Sequence, residues 1–149
     1  MRKLALGLML MMLAFVGNAW GAESLTQSIQ ASGPYKVYNL VWVNDGSGDF
    51  TATELNQPID GIVMLVEFIP STTAIPSAVY TVTLKAETSE IDILGGEGAD
   101  LSTTVASKSQ PLLNGNFGAI PVMGALTVDV VSAGNDKGGT VRIHYLSIN

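Results

Sequence analysis

The chain has no cysteine and one histidine, His144, and charged residues fill only 13% of its 149 positions. Each shortage excludes something. Without cysteine there is no disulfide and no lipid-attachment thiol, and with one histidine a zinc site lacks ligands. Beyond residue 21 the cations are Lys36, Lys85, Lys108, Lys137 and Arg142, scattered rather than clustered. That leaves no basic patch to exchange counterions with nucleic acid. No Gly-x-Ser-x-Gly occurs, and no Lys-Ser/Thr pair directly follows the glycines of "ILGGEGADL" (93–101), which excludes a nucleophile elbow and a phosphate loop.

Long apolar runs are also scarce, apart from the start. Arg2 and Lys3 precede "LALGLMLMMLAFV" (4–16), and the small residues Ala19 and Gly21 follow. This pattern predicts a secretory signal, residues 1–21, cut after Gly21. The run is shorter than the roughly 20 residues that span a bilayer; an uncleaved N-terminal anchor is the competing reading. Removing Arg2 and Lys3 with no acid moves the formal charge from −6 to −8. The expected product is an acidic, exported domain (periplasmic, surface-bound or extracellular) over residues 22–149, with no stable membrane span once the leader is gone.

What is present is hydrophobic material, 47% of the chain, arranged with a period of two. "ESLTQSIQASGP" (23–34) reads as a first edge strand or an ordered arm. "YKVYNLVWV" (35–43) places Tyr38, Leu40 and Trp42 on one face. "NDGSGD" (44–49) reads as a hairpin turn, and "FTATEL" (50–55) as a short strand pairing back. "IDGIVMLVEFIP" (59–70) is apolar on both faces, as expected of a central strand covered on both sides. "VYTVTLK" (79–85) alternates cleanly, with Tyr80, Val82 and Leu84 inward. "IDIL" (91–94) reads as a further short strand, and 95–110 as small and polar with room for a helical turn. "LTVDVVSA" (126–133) and "TVRIHYLSI" (140–148) flank "GNDKGG", read as a hairpin connector. Seven or eight strands without an amphipathic helix predict an all-β, antiparallel β-sandwich, jelly-roll or Ig-like.

Several residues invite a chemical reading. Gly95-Gly96-Glu97-Gly98-Ala99-Asp100 looks like one calcium-binding nonapeptide of a β-roll, but such repeats must recur and this one does not. The expected role is a glycine bend at a strand end. Asp45, Ser47 and Asp49 match the first positions of an EF-hand loop, yet Phe50 and Asn56 stand where Gly and Glu are needed. Asp92, Glu97 and Asp100 are close enough in sequence to raise a paired-carboxylate hydrolase. His144 falls on the polar face of the last strand, as an exposed sheet residue. Tyr35, Tyr38 and Trp42 raise a sugar-stacking platform, although Tyr38 and Trp42 share the face expected to fill the core. No catalytic, cofactor or metal site is expected from these residues.

As an ordered set, Pro76, Tyr80, Thr81, Thr83 and Leu84, then Asp92, Gly95 and Gly96, then Gly124, Leu126, Thr127 and Val128 resemble a family of small phage and prophage proteins. The resemblance covers roughly residues 37–146. Thr81 stands where that family commonly has Asp, and Asp100-Leu101 where it has an Asn-Arg pair. The resemblance implies a non-enzymatic, virion-associated structural protein, a decoration, head or tail accessory component, with protein partners or self-association. Its contact surfaces are expected on the Thr- and Val-rich strand faces and the apolar stretch 95–124. A cytoplasmic virion part with an export signal is a conflict, so the virion stands beside the envelope as an expected location. The alternative function is a secreted binding module for a glycan or cell-surface ligand, with Tyr35 or another aromatic exposed.

Overall fold

The computed structural model describes residues 22–87 and 90–148. The expected leader, 1–21, lies outside the described residues. Among the described residues there is no helix. The strands are β1 (Ser24–Ser32), β2 (Tyr35–Val43), β3 (Phe50–Glu54), β4 (Gly61–Pro70), β5 (Thr81–Ala86), β6 (Ser107–Ser109), β7 (Leu112–Leu113), β8 (Asn116–Phe117), β9 (Ile120–Val122), β10 (Leu126–Val131) and β11 (Gly138–Ser147). Seven of these have five or more residues, in line with the expected strand count. A six-stranded sheet runs β1-β2-β11-β4-β6, with β9 also on β4; a three-stranded sheet runs β3-β10-β5; β7 and β8 form a small ribbon. Every strand pairing is antiparallel.

Alternation explains which faces meet. β2 buries Tyr38, Leu40 and Trp42, and β11 buries Val141, Ile143 and Tyr145. From the smaller sheet, Val82 and Leu84 of β5 and Leu126, Val128 and Val130 of β10 face them, all in one core cluster. The Trp42 and Tyr80 rings meet between the sheets, centroids 5.6 Å apart and tilted by 54°. Burial pushes the Tyr80 phenol up to about 12. The chain is an antiparallel β-sandwich with its apolar mass between two sheets.

Both expected hairpins are instead crossings between the sheets. β3 pairs with β10, not with β2, so residues 44–49 carry the chain from the larger sheet to the smaller. β10 and β11 lie in different sheets, so 132–137 carries it back. Buried Asn44 ties these crossings together. Its Nδ2 donates to the Gly134 carbonyl at 2.8 Å, and its Oδ1 accepts from the Lys137 amide at 2.6 Å. Turn composition alone does not distinguish a hairpin from such a crossing, because both need the same tight backbone.

The long apolar run also differs from expectation. β4 buries Gly61 and Val63, then Val66, Phe68 and Pro70, so its inward parity changes midway. The register slips there: Tyr145 opposes Val63 but His144 opposes Leu65, which leaves Met64 as the extra residue of a bulge. The run is apolar at both parities because the bulge exchanges them, and exposed Ile62 shows that the outer face is not covered. Residues 91–94 are not a strand, and no helical turn occurs in 95–110. Instead 91–101 folds along β5. Ala86 N donates to Ile91 O, Ile93 N to Leu84 O and Val82 N to Gly98 O.

Candidate interaction surface

The outer face of the six-stranded sheet carries a row of polar residues set by strand register. Asn39 of β2 opposes Arg142 of β11, Arg142 opposes Glu67 of β4, and Glu67 opposes Lys108 of β6. Glu67 Oε2 lies 3.6 Å from Arg142 Nη1 and 3.4 Å from His144 Nε2. The Tyr35 hydroxyl is hydrogen-bonded to His144 Nδ1. With the phenol donating, Nδ1 accepts, and Nε2 is the ring nitrogen nearer Glu67. The Arg142 and Glu67 side chains are reached by solvent, so their ion pair contributes at most about 1 kcal/mol.

Apolar rows flank the polar one. Val41, Thr140 and Ile69 oppose one another on one side; Tyr35, Leu146 and Ile62 do so on the other. Val41, Tyr35, Leu146 and Ile62 are all exposed. A shallow groove of about 320 Å³ lies beside Glu67, Ser107, Lys108 and Arg142. Asn39 Nδ2 and His144 Nε2 are buried without a hydrogen-bond partner among the described residues. The outer face thus sets exposed apolar side chains beside a charged row.

The residues singled out from sequence disperse over the fold. Tyr38 and Trp42 are core residues, each 1% exposed, so only Tyr35 of that trio faces outward. His144 does lie on the polar side of β11, but its side chain is 15% exposed rather than open, because Tyr35 and Glu67 flank it. Asp92 is held in the turn after β5. Its Oδ1 accepts from the amides of Leu84 (3.2 Å) and Leu94 (3.1 Å), and its Oδ2 from Gly96 (3.1 Å). Glu97 and Asp100 line an open groove beside Lys108. Gly95 (φ 58°) and Gly96 (φ 94°) take left-handed backbone, as a glycine bend requires.

Asp45 and Asp49 are turn formers. Asp45 accepts from the Ser47 amide, and hydrogen bonds from Ser47, side chain first and then backbone, hold its carboxyl below the usual range. Asp49 accepts from the Ser132 amide at 2.8 Å. Burial pushes the Asp129 carboxyl up, against the opposing charge of Lys85. Among the described residues no group of three or more His, Asp or Glu side chains is placed to hold a metal ion. Residues 95–124 are not a single loop: β6 and β9 pair with β4, and the β7–β8 ribbon exposes Leu113 and Phe117.

The residues carrying the resemblance have structural positions. Tyr80 and Leu84 fill the core, Asp92 caps the turn, and Gly124 (φ 103°) leads into Leu126, Thr127 and Val128 of β10. Sequence reading missed Glu67 and Asn39 as parts of the outer row. One signal was available for Glu67: a lone carboxylate inside an apolar strand needs a cation opposite, and Arg142 is the one arginine beyond residue 21.

Fold and surface together define a class: an antiparallel β-sandwich with a mixed polar and apolar outer sheet. Comparison with protein families, with curated proteins and with solved structures finds no match to this chain.

Proposed function

We propose that this is a non-enzymatic structural or interaction protein of phage or prophage origin, a virion-associated decoration, head or tail accessory component. The observation that carries the reading is the outer face of the larger sheet. Its apolar rows (Tyr35, Leu146 and Ile62; Val41 and Ile69) bracket the Asn39–Arg142–Glu67–Lys108 row. Such a face gives a protein partner both apolar area and a fixed charge pattern. Of the carboxylates raised from sequence, Asp92 caps a turn through backbone amides, and Glu97 and Asp100 line an open groove.

Mass spectrometry of purified particles is the test. Peptides of this chain at a fixed ratio to the major capsid or tail protein are expected, and the most N-terminal peptide would show whether residues 1–21 are retained. Particles consistently free of the chain would overturn the reading. A second reading, an exported glycan- or surface-binding module, is favoured by one observation: Tyr35 is 38% exposed on the same face. It predicts that Tyr35→Ala abolishes glycan-array binding while leaving the thermal midpoint within about 2 °C; an array blank for the wild-type protein ends it.

A further inference from the structure

The two borders of the six-stranded sheet are unlike. On one, β4 is lined by β6 and β9, three residues each, which carry Lys108 and Pro121. Short strands, lysine and proline are the usual devices against edge-to-edge pairing. The other border is β1, nine residues long and paired only with β2. Its sequence, "SLTQSIQAS", holds no proline and no charge. In the smaller sheet the β5 edge is already occupied by residues 91–101, and β3 has only five residues and ends in Glu54. β1 is therefore the long undefended edge among the described residues.

We infer that β1 is the pairing edge for β1 of a second copy of this chain, antiparallel about a two-fold axis at Ser28, so that one sheet runs through both copies. The inference deepens the assembly reading above and rests on it. Full overlap of the nine residues leaves one register. Ser24 meets Ser32, Leu25 meets Ala31, Thr26 meets Gln30, Gln27 meets Ile29, and Ser28 meets its own copy. The outer side then joins hydroxyls and amides across the junction. The inner side extends the row of Leu25 and Ile29, which already pack against the core. Charge selects the same edge. The chain carries a formal charge of −6, so two copies repel over most of their surface, but no like charges meet along β1. A two-fold contact needs a self-complementary patch, and this strand is one.

The absence of native cysteine makes the test direct. Ser28→Cys is expected to form an intermolecular disulfide under mild oxidation in most of the sample, read by intact mass. Ser24→Cys, which faces Ser32, is expected to stay unlinked. By sedimentation, the wild-type chain is expected to be a dimer, Ser28→Lys and Ser28→Glu each a monomer, and their equimolar mixture a heterodimer. Recovery in the mixture requires both variants to be folded, so misfolding cannot imitate it. The inference is overturned by a wild-type monomer at concentrations up to about 1 mM. It is overturned equally by a dimer that survives Ser28→Lys, by linkage through Ser24→Cys in place of Ser28→Cys, or by a mixture that stays monomeric. None of these outcomes bears on whether the chain is present in particles, which the mass spectrometry decides separately.

Discussion

Truncation of Trp42 to alanine is expected to destabilise the domain by about 3–5 kcal/mol, a large share of the 5–15 kcal/mol typical of a whole domain. The indole is 1% exposed, stands on the larger sheet's inner face near the end of β2, and meets the Tyr80 ring of the opposite side. Few neighbours can move into the vacated space. Trp42 opposes Gly139 in the β2–β11 pairing. A Cβ on Gly139 would come within 2.9 Å of both the indole Cζ2 and the Ile69 carbonyl oxygen. The glycine thus makes room for the ring. Gly139→Ala is expected to cost about 1–3 kcal/mol in the wild-type background and measurably less beside Trp42→Ala, because part of the clash has gone. Urea unfolding followed by far-ultraviolet circular dichroism measures all four corners of this cycle. A Trp42→Ala loss below about 1 kcal/mol would contradict the packing described here. Exposed Val41→Ala, one residue away on the opposite face, is the control, expected within about 0.5 kcal/mol.

That pair of residues also shows where sequence reading stops. The period of two in "YKVYNLVWV" was enough to place Tyr38, Leu40 and Trp42 in a core and to make the chain a β-sandwich, because alternation is local and needs no partner. "GNDKGG" was read as a connector, yet Gly138 and Gly139 belong to β11 and are buried. Their glycine character answers a tryptophan nearly a hundred positions earlier. The outer row has the same limit. Asn39, Glu67, Lys108 and Arg142 become neighbours only through three strand registers, and one of the strands, β4, contains a bulge that changes its parity. A bulge makes an apolar run look two-sided, so the run hid both the exposed face and the place of Glu67 on it. Crossings between sheets were hidden for a related reason: turn residues report local curvature, not which sheet receives the next strand.

Asp92→Ala is expected to be the most damaging change outside the core, costing about 2–4 kcal/mol through three backbone amides that lose their acceptor. Leu84 and Leu94, whose amides bond to Asp92 Oδ1, are both fully buried, so water cannot readily replace the carboxylate there. Gly96, bonded to Oδ2, is exposed, and its amide can be rehydrated. The two oxygens are therefore unequal, and substitution separates them. Asp92→Asn can keep an oxygen toward Leu84 and Leu94 while turning its amide group toward Gly96, for a loss of about 1–2 kcal/mol. The expected order of stability is wild type, then Asn, then Ala, with faster hydrogen exchange at the Leu84 and Leu94 amides in the alanine variant than in the asparagine variant. Gly98→Ala should produce a similar loss by another route, since its Cβ would overlap the Val82 carbonyl oxygen on the strand that this turn covers. If Asp92→Ala left both stability and exchange unchanged, the carboxylate would not be holding the turn. The Asp92–Gly95–Gly96 pattern would then need a role in contact with something outside the chain.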